Sequence, residues 1–437
     1  MSDTSAAIQL RRGAWDEDGE TYLHVPDHWR VTDLRLAISP PLGSRQISEA
    51  LERPVGGPLL RELASGKKDI GVIIDDLTRP TRADELLGPL LEHLAAAEVT
   101  REHLTLFIAC GSHEGPPPAD VARKAGVSLA MFRRVVIHDC HAACVDLGKT
   151  RHGTPVSINA SLMACDLRIG VGSVFPHPAA AFSGGTKLLA PGMCGAATIR
   201  HLHDHLRPAR ARGGPLDSDI RREMNEIAGM GGLASVILAV PGADRHAVAC
   251  VAGHPESALE YAAHLYRPLA SVSLPAREEI DAVIVDAYPF DGTLQFAHDR
   301  ALWPLKDLPA EMPVVLIAKC QRGAGTHEFF PAADPFTERV VRRVRQVNTN
   351  DLRRIPEILA NALALRAERK RRIIIMAEGV GEEEVRRVFP RGTLCPTWEA
   401  ACALIDERVR AATRRIVFYS TAPLLLPLEK GTSPDAP

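Results

Sequence analysis

The sequence predicts an α/β protein built from two α/β domains, with its active site in the cleft between them. In the first half, an apolar run at 70–74 precedes a polar loop and a helical apolar period at 83–97, and a second apolar run follows at 104–109. In the second half, apolar runs of strand length return after a segment at 267–279 that contains two prolines. Strands that alternate with helical segments are typical of parallel sheets.

The first domain is predicted to span residues 1–272. Short β-like runs punctuated by prolines fill residues 1–40, and the strand at 70–74 opens a β-loop-α unit. The remaining elements predicted here are strands at 135–137, 167–171, 235–240 and 248–251, and helices at 119–125, 217–228 and 256–266.

The second domain is predicted to span residues 278–415. Its elements are strands at 282–285, 314–318 and 373–376, and helices near 351–369, 382–388 and 398–410. We expect the last part of the chain, 416–437, to join the first domain through its apolar stretch at 416–426. Only residues 431–437 have the composition of a disordered tail.

Composition excludes several classes of protein. Hydrophobic residues make up 46% of the 437 residues and charged ones 24%, and the net charge is −2, so no overall field favours nucleic acid or an anionic membrane. The N-terminus has no signal segment, and no apolar run approaches the roughly 20 residues of a membrane span. Nine cysteines without a CxxC pair predict neither a disulfide framework nor a zinc ribbon. We therefore expect a cytoplasmic protein without nucleic-acid or membrane partners.

One segment, residues 176–205, combines four histidines and a lysine with paired glycines. Gly184 and Gly185 allow positive φ and close approach of a bound group, and with Ser183 and Lys187 they suit a phosphate or another anion. Lys187 also becomes a nucleophile if burial lowers its pKa. The alternative is a surface turn with a solvated lysine.

Three predicted strands end in polar residues. They are followed by Asp75-Asp76-Leu77-Thr78-Arg79, by Gly111-Ser112-His113, and by Pro176-His177. Ligands of open α/β sheets bind outside the carboxyl ends of the strands, so these residues are candidates for one site. Imidazoles suit proton transfer near pH 7.

A metal site is predicted near residue 200, with two alternatives. His201 and His205 have the i, i+4 spacing that lets two imidazoles share a helix face and hold zinc, whereas His203 points elsewhere. His203 lies 16 residues after Lys187 in the chain. The spacing alone leaves both alternatives open.

These motifs together resemble the nickel-pincer lactate racemase family, in order and spacing. The matching strings are Asp76-Leu-Thr-Arg79-Pro, Gly111-Ser-His113, Pro176-His177, Phe182-Ser-Gly-Gly-Thr-Lys187, Pro191-Gly192 and His203, and the Phe-Ser-Gly-Gly-x-Lys string is the most specific of them. By motif, the resemblance covers residues 70–300.

The resemblance implies a cofactor and roles for the residues. The cofactor is a nickel-pincer nucleotide, a thiolated nicotinic acid mononucleotide derivative attached to Lys187, with His203 as a nickel ligand. His113 and His177 would be the acid/base pair, and cofactor-maturation enzymes would be partners. The resemblance also implies two sets of contacts. The cofactor would be contacted by Asp76, Thr78, Ser183, Gly184 and Gly185, and the substrate by Arg79, Gln295, His298 and Glu114. Asp76 would also orient the substrate or the site.

Two departures from the family pattern bear on the substrate. Glu114 stands where lactate-specific members have an arginine, and His298 stands where they have a lysine. Both changes remove a permanent positive charge, so we expect a 2-hydroxy acid other than lactate.

Three functions follow from the sequence. The first is a racemase or epimerase of a 2-hydroxy acid that uses reversible hydride transfer to the lysine-tethered cofactor. The second is a lyase or hydrolase that uses His201, His203 and His205 as a simple divalent-metal site. The third is a cofactor-binding homologue without catalytic activity.

Overall fold

The structure is a computed structural model, and it describes residues 7–15, 19–126, 129–205, 213–305, 308–325 and 371–428. The chain divides into two compact units, residues 37–269 and residues 1–36 with 270–436. Within the described residues, no helix is both long and apolar enough to cross a membrane.

The strands of the described residues are short, mostly five to seven residues. In chain order they are β1 (Ala7–Arg12), β2 (Gly19–His24), β3 (Trp29–Leu34), β4 (Ile70–Asp75), β5 (Leu104–Ala109), β6 (Arg134–Ile137), β7 (Cys144–Lys149), β8 (Pro155–Asn159), β9 (Leu167–Ser173), β10 (Pro176–His177), β11 (Ala181–Phe182), β12 (Leu233–Pro241), β13 (Ala247–Gly253), β14 (Ser271–Ser273), β15 (Ala282–Asp286), β16 (Val314–Ala318), β17 (Ile373–Ala377), β18 (Thr393–Leu394), β19 (Arg414–Tyr419) and β20 (Leu426–Leu428).

The α-helices connect these strands. They are α1 (Ser44–Leu51), α2 (Leu60–Ala64), α3 (Ala83–Ala95), α4 (Pro118–Ala125), α5 (Ala160–Met163), α6 (Ala196–His205), α7 (Asp219–Met230), α8 (Pro255–Ala270), α9 (Leu294–Ala301), α10 (Glu382–Val388) and α11 (Trp398–Arg408).

The unit of residues 37–269 is built on a six-stranded sheet in the order β13-β12-β9-β4-β5-β6. All neighbouring pairs are parallel except β12 with β13. Residues 70, 72 and 74 of β4 face an apolar core that they share with α1, α2, α3 and α4, as their period of two requires. Every residue of β4 and β5 is buried, which explains their continuous apolar runs.

The strand order places a topological switch point between β4 and β9. From β4 the sheet continues through β5 and β6 on one side, and through β9 and β12 on the other. Connections leave the carboxyl ends of β4 and β9 in opposite directions, which opens a crevice at that edge. Asp75 ends β4 and Ser173 ends β9, so the polar strand ends seen in the sequence meet at the switch point.

The other unit has a parallel six-stranded sheet in the order β18-β17-β16-β15-β19-β3. Its apolar core includes residues of β1, β3, β15 and α11. Trp29 and Trp398 meet edge to face in this core, with ring centroids 5.9 Å apart.

The predicted α/β class is confirmed, whereas the predicted domain boundaries need correction. The sequence places residues 1–36 in the first domain, but β3 pairs with β19 at the edge of the second sheet. Residues 416–428 likewise belong to that unit, because β19 also pairs with β15 and β20 with β14. These parallel pairings join segments that lie far apart in the chain, which local patterns do not reveal. The predicted helix at 351–369 and the tail at 431–437 lie outside the described residues.

Candidate functional site

The switch point is held together by a buried polar cluster formed by Asp75, Thr81, Lys124 and Ser173. Lys124 Nζ lies 2.5 Å from Asp75 Oδ1, and Lys124 is 1% exposed. Thr81 Oγ1 donates to Asp75 Oδ2 at 2.5 Å and lies 2.6 Å from Ser173 Oγ. Burial raises the pKa of Asp75 and lowers that of Lys124, against the mutual attraction of the pair. This polar cluster joins β4, β9 and α4.

The same lysine fixes the loop that follows β4. Lys124 Nζ donates to the carbonyl oxygens of Asp76 at 2.6 Å and Arg79 at 3.2 Å. Inside the loop, Thr78 donates to Asp76 Oδ1 through its hydroxyl and through its backbone N–H at 3.1 Å. Arg79 Nη1 donates to Thr78 Oγ1 at 2.7 Å. The loop therefore presents Asp76, Thr78 and Arg79 in one fixed arrangement.

His113 is paired with Asp76. His113 Nδ1 lies 2.7 Å from Asp76 Oδ2, and the His113 side chain is 15% exposed. Burial would raise the pKa of Asp76, but the adjacent His113 and Arg79 outweigh it and hold this pKa below its ordinary value. Because Asp76 is ionised at neutral pH, it accepts the Nδ1 proton of His113. The Nε2 of the neutral ring then carries the lone pair that can accept a proton.

A backbone hydrogen bond joins the loop that bears His113 to the segment that follows Lys187. Gly111 has a φ of +58° and donates its N–H to the carbonyl of Gly192 at 2.9 Å. The N–H of Gly192 donates in turn to the carbonyl of Lys187 at 3.3 Å. Two strand-end loops that are far apart in the chain are thus tied to each other.

His177 lies on a short hairpin formed by β10 and β11. His177 pairs with Ala181 in this hairpin. The backbone N–H groups of Ala179 and Ala180 both donate to His177 Nδ1, each at 3.2 Å. Since Nδ1 is an acceptor here, the proton of the neutral ring lies on Nε2. His113 and His177 are therefore held in opposite tautomers.

The turn that carries Lys187 is buried, so the alternative of a surface turn is wrong. Ser183 is 5% exposed, Thr186 is 2% exposed, and Lys187 is half-buried. Gly184 and Gly185 have φ values of +81° and +61°, which confirms the conformational reason for two glycines. A Cβ at Gly184 would lie 2.9 Å from the carbonyl of Ser173, and one at Gly185 would lie 2.9 Å from that of Pro255. The close approach they permit is to the protein's own backbone.

Two further glycines allow this turn to pack closely against the sheet. A Cβ at Gly170 would lie 2.8 Å from Leu188 Cδ1, and one at Gly172 would lie 3.1 Å from Leu188 Cδ2. Both glycines belong to β9 and point to one face of the sheet. Leu188 fills the space that they leave, which anchors the neighbouring Lys187 beside the end of β9.

His203 lies on α6 with its ring oriented by the helix itself. His203 Nδ1 lies 2.7 Å from the carbonyl oxygen of Ile199, so it donates there and leaves a lone pair on Nε2. An imidazole with one nitrogen bonded to a backbone carbonyl and the other free of a proton is a typical metal ligand. Among the described side chains, no three His, Cys, Asp or Glu residues form a group that could hold a metal. The His205 side chain lies outside the described residues, so the i, i+4 alternative stays untested.

The predicted substrate contacts lie on both units. Glu114 is exposed in the loop after His113, whereas Gln295 and His298 belong to α9 of the other unit. Gln295 is 6% exposed. His298 Nδ1 lies 2.7 Å from Asp299 Oδ1, and its ring meets the Phe389 ring at 5.1 Å. Their role in substrate binding stays a prediction.

Several residues of the site were missed from the sequence. Lys124 falls within a predicted helix, Thr81 and Ser173 have no predicted role, and Asp75 is predicted only as one of the polar residues at a strand end. Arg221, on α7, is fully buried and donates to the carbonyl oxygens of Ala180 and Phe182. The position of Asp75 beside Asp76 at a strand end is a sequence pattern that indicates a site residue. No sequence pattern indicates such a role for Arg221.

Comparison with known proteins points to one family. Residues 17–213 match the family described as the lactate racemase N-terminal domain. A lactate racemase of Thermoanaerobacterium thermosaccharolyticum is 28% identical over 292 residues, which are 65% of this chain and 67% of that protein. A lactate racemase of Lactiplantibacillus plantarum is 25% identical over 317 residues, which are 71% of this chain and 74% of that protein.

Solved structures share the fold. The lactate racemase apoprotein from Thermoanaerobacterium thermosaccharolyticum superposes with a TM-score of 0.76 at 23% identity, covering 97% of this chain and 100% of that one. A protein from Thermotoga maritima superposes with a TM-score of 0.62 at 16% identity, covering 90% and 100% of the two chains. At these identities the likeness concerns the fold alone.

The buried ion pair makes a testable prediction. Lys124→Met leaves the Asp75 carboxylate buried without its cation, so it should destabilise the sheet by about 3–5 kcal/mol. Asp75→Asn combined with Lys124→Met should be less damaging than Lys124→Met alone, because no buried charge is left. Native-state hydrogen exchange of the β4 and β9 amides measures this free energy.

The control variant is Lys149→Met, an exposed lysine on β7, which should change exchange by less than about 0.5 kcal/mol. All four tryptophans lie in the other unit, so their fluorescence should not respond to any of these variants. Asp75→Asn alone completes the cycle, and simple addition of the two single-variant effects in the double variant would show that Asp75 and Lys124 do not interact.

Proposed function

Because this chain belongs to the lactate racemase family, we propose that it is an isomerase that racemises or epimerises a 2-hydroxy acid. The observation that carries the proposal is the hydrogen bond of His113 to Asp76 at the switch point, with Arg79 on the same loop. These residues supply an activated imidazole and a permanent cation at the edge where α/β sheets bind ligands. His177 and Lys187 lie on connections that leave the neighbouring strand, β9.

We propose that the cofactor is a nickel-pincer nucleotide attached to Lys187, with His203 as a nickel ligand. The donor set fits, because the hydrogen bond of His203 to Ile199 leaves Nε2 as a lone-pair donor. When bound, this group supplies a reversible two-electron acceptor for the carbon that bears the hydroxyl. Its attachment would require cofactor-maturation enzymes as partners, and the cytoplasm is the compartment that we propose for both.

The chain's own residues divide the remaining work. Arg79 suits the substrate carboxylate, because its guanidinium is held by Thr78 and stays protonated. His113 accepts the hydroxyl proton at Nε2, and the Asp76 carboxylate stabilises the positive ring that results. We propose His177 as the second acid/base residue, for the opposite enantiomer; in the neutral ring its proton lies on Nε2, where it can form a hydrogen bond to the substrate oxygen. In each direction, inversion at the carbon requires one group that accepts the hydroxyl proton and one that returns a proton to the oxygen, so the reaction consumes no proton overall.

The substrate that we propose is larger or more polar than lactate, such as a sugar acid. Arg79 is the remaining arginine suited to the carboxylate, while Glu114 and His298 replace charged groups that would favour a small anion. Additional substrate hydroxyls could form hydrogen bonds with Glu114 and His298. A site built for such bonds penalises an analogue that lacks them.

The two alternatives differ in what they predict for Lys187. A simple divalent-metal lyase or hydrolase, using His201, His203 and His205, has no adduct on Lys187. A non-catalytic homologue carries the adduct but does not invert the substrate. Intact mass and a racemisation assay on one preparation therefore separate all three functions.

The tether is tested by Lys187→Ala in protein produced together with the cofactor-maturation enzymes. Wild-type protein should gain the mass of the nucleotide adduct, and Lys187→Ala should lose both the adduct and racemisation. Lys149→Ala, at an exposed lysine on β7, should keep both. An adduct of unchanged mass on the Lys187→Ala protein would place the tether elsewhere.

The Asp76 carboxylate is tested by Asp76→Asn. Asparagine cannot hold the positive imidazole ring, so kcat should fall by about 10²- to 10⁴-fold in both directions. Asp84→Asn, which removes a carboxylate paired with Arg82 on the first turn of α3, is the matched control. Because the pKa of Asp76 is depressed, wild-type Asp76 should stay ionised as the pH falls below its ordinary value of about 3.9. A kcat for Asp76→Asn within threefold of wild type would refute this role.

Substrate preference is tested with a panel of chiral 2-hydroxy acids and sugar acids, analysed by chiral chromatography. Lactate should be a poor substrate for the wild type. His298→Lys should raise lactate turnover relative to the preferred substrate, because it restores a permanent positive charge. His264→Lys, at an exposed histidine on α8, should leave the preference unchanged. Efficient wild-type turnover of lactate would contradict the substrate proposal.

A further inference from the structure

Arg221 lies outside the acid/base pair and the predicted ligand contacts, yet it contacts the two segments that carry His177 and Lys187. It is 1% exposed and belongs to α7. We propose that Arg221 is a positioning residue that holds the His177 hairpin and the Lys187 turn in one fixed arrangement. This inference rests on the roles proposed above for His177 and Lys187.

The first half of the contact is with the hairpin. Arg221 Nη2 donates to the carbonyl oxygen of Ala180 at 2.7 Å and to that of Phe182. These two residues flank Ala181, which pairs with His177 across the hairpin. Ala181 has a φ of +59°, a left-handed conformation that a non-glycine residue adopts at a cost. One guanidinium nitrogen therefore holds both carbonyls on either side of a strained residue.

The second half of the contact is with the turn that precedes Lys187. Arg221 Nη1 donates to Thr186 Oγ1 at 3.4 Å. Thr186 donates in turn to Asn225 Oδ1 at 2.8 Å, and Asn225 Nδ2 donates to Glu256 Oε2 at 2.6 Å. Thr186 is the residue immediately before Lys187. The side chains of α7 thus connect the hairpin, the turn and α8.

The chemistry of this contact requires arginine. Burial lowers the pKa of Arg221 to about 10, which leaves the guanidinium protonated near neutral pH. A buried cation is costly, and the planar fork lets Nη2 reach two carbonyls and Nη1 reach a hydroxyl, while the buried Nε has no hydrogen-bond partner among the described residues. Apolar packing alone would not need a charge here. The cost is understandable if the two segments must keep a precise mutual placement.

The test compares Arg221→Lys with Arg222→Lys. Arg221→Lys keeps the positive charge but loses the fork, whereas Arg222 is exposed on the same helix and pairs with Asp219. kcat is expressed per chain that carries an adduct, as counted by intact mass. We expect Arg221→Lys to lower this kcat by about tenfold or more, because small misplacements of reacting groups are costly. KM should change by less than about threefold, because Arg79 is held by a separate loop, and Arg222→Lys should change neither quantity.

Hydrogen exchange of the chain without cofactor gives a second readout. Exchange should accelerate in peptides covering 176–190 in Arg221→Lys and stay unchanged in peptides covering 104–113. Thr186→Val removes the contact of Arg221 to the turn together with the Thr186–Asn225 hydrogen bond, and it keeps the two contacts of Arg221 to the hairpin. It should lower kcat in the same way but by a smaller factor, and it carries the test if Arg221→Lys does not fold.

A wild-type kcat per adduct-bearing chain in Arg221→Lys, or in Thr186→Val if it alone folds, would overturn the inference. That result would leave Arg221 with a purely structural role, visible only as lower stability. If the wild type itself carries no adduct and inverts no substrate, the proposed function fails instead. The hydrogen-exchange comparison would still decide whether Arg221 holds the two segments together.

Discussion

The buried ion pair of Asp75 and Lys124 is the interaction on which the rest of the candidate site depends. Asp75 ends the central strand β4, and Lys124 reaches it from α4 while also binding the carbonyls of Asp76 and Arg79. Such a pair adds little net stability, since desolvation offsets the attraction, but removing one partner is costly. Its contacts hold the loop that bears Asp76 and Arg79 against β4 and α4.

The remaining site residues are tied to this loop through short contacts rather than through a large packed surface. His113 reaches Asp76 directly, and its loop is bonded to the segment after Lys187 through Gly111 and Gly192. Leu188 sits on the glycines of β9, next to the strand that carries Asp75. Binding and catalytic groups often lie on loops that a rigid sheet positions.

Local sequence patterns predicted much of the sheet that bears the site. The buried strands β4, β5 and β9 appear as apolar runs, and their polar ends identified Asp76, His113 and His177 because the carboxyl ends of parallel strands share an edge. The resemblance singled out Lys187 and His203. His113 is bonded to Asp76 and His203 to Ile199, while the acid/base role of the first and the nickel-binding role of the second stay predictions.

What the sequence could not predict depends on contacts between distant segments. The pairing of β3 with β19 joins residues nearly 400 positions apart in the chain, so the first 36 residues were assigned to the wrong domain. Lys124 lies in a segment whose apolar residues have the spacing of an ordinary amphipathic helix. Its burial follows only from the position of Asp75. Arg221 is similar, because two of its acceptors are the carbonyls on either side of the left-handed Ala181 and the third is the Thr186 hydroxyl on the following turn.

We propose that a nickel-bearing group is held by Lys187 and His203. Anomalous diffraction at the nickel absorption edge, from crystals of the loaded protein, tests it most directly. The account predicts one nickel peak at coordination distance from His203 Nε2, with continuous density from the group to Lys187 Nζ. A metal peak shared by His201 and His205, with no density joined to Lys187, would contradict it.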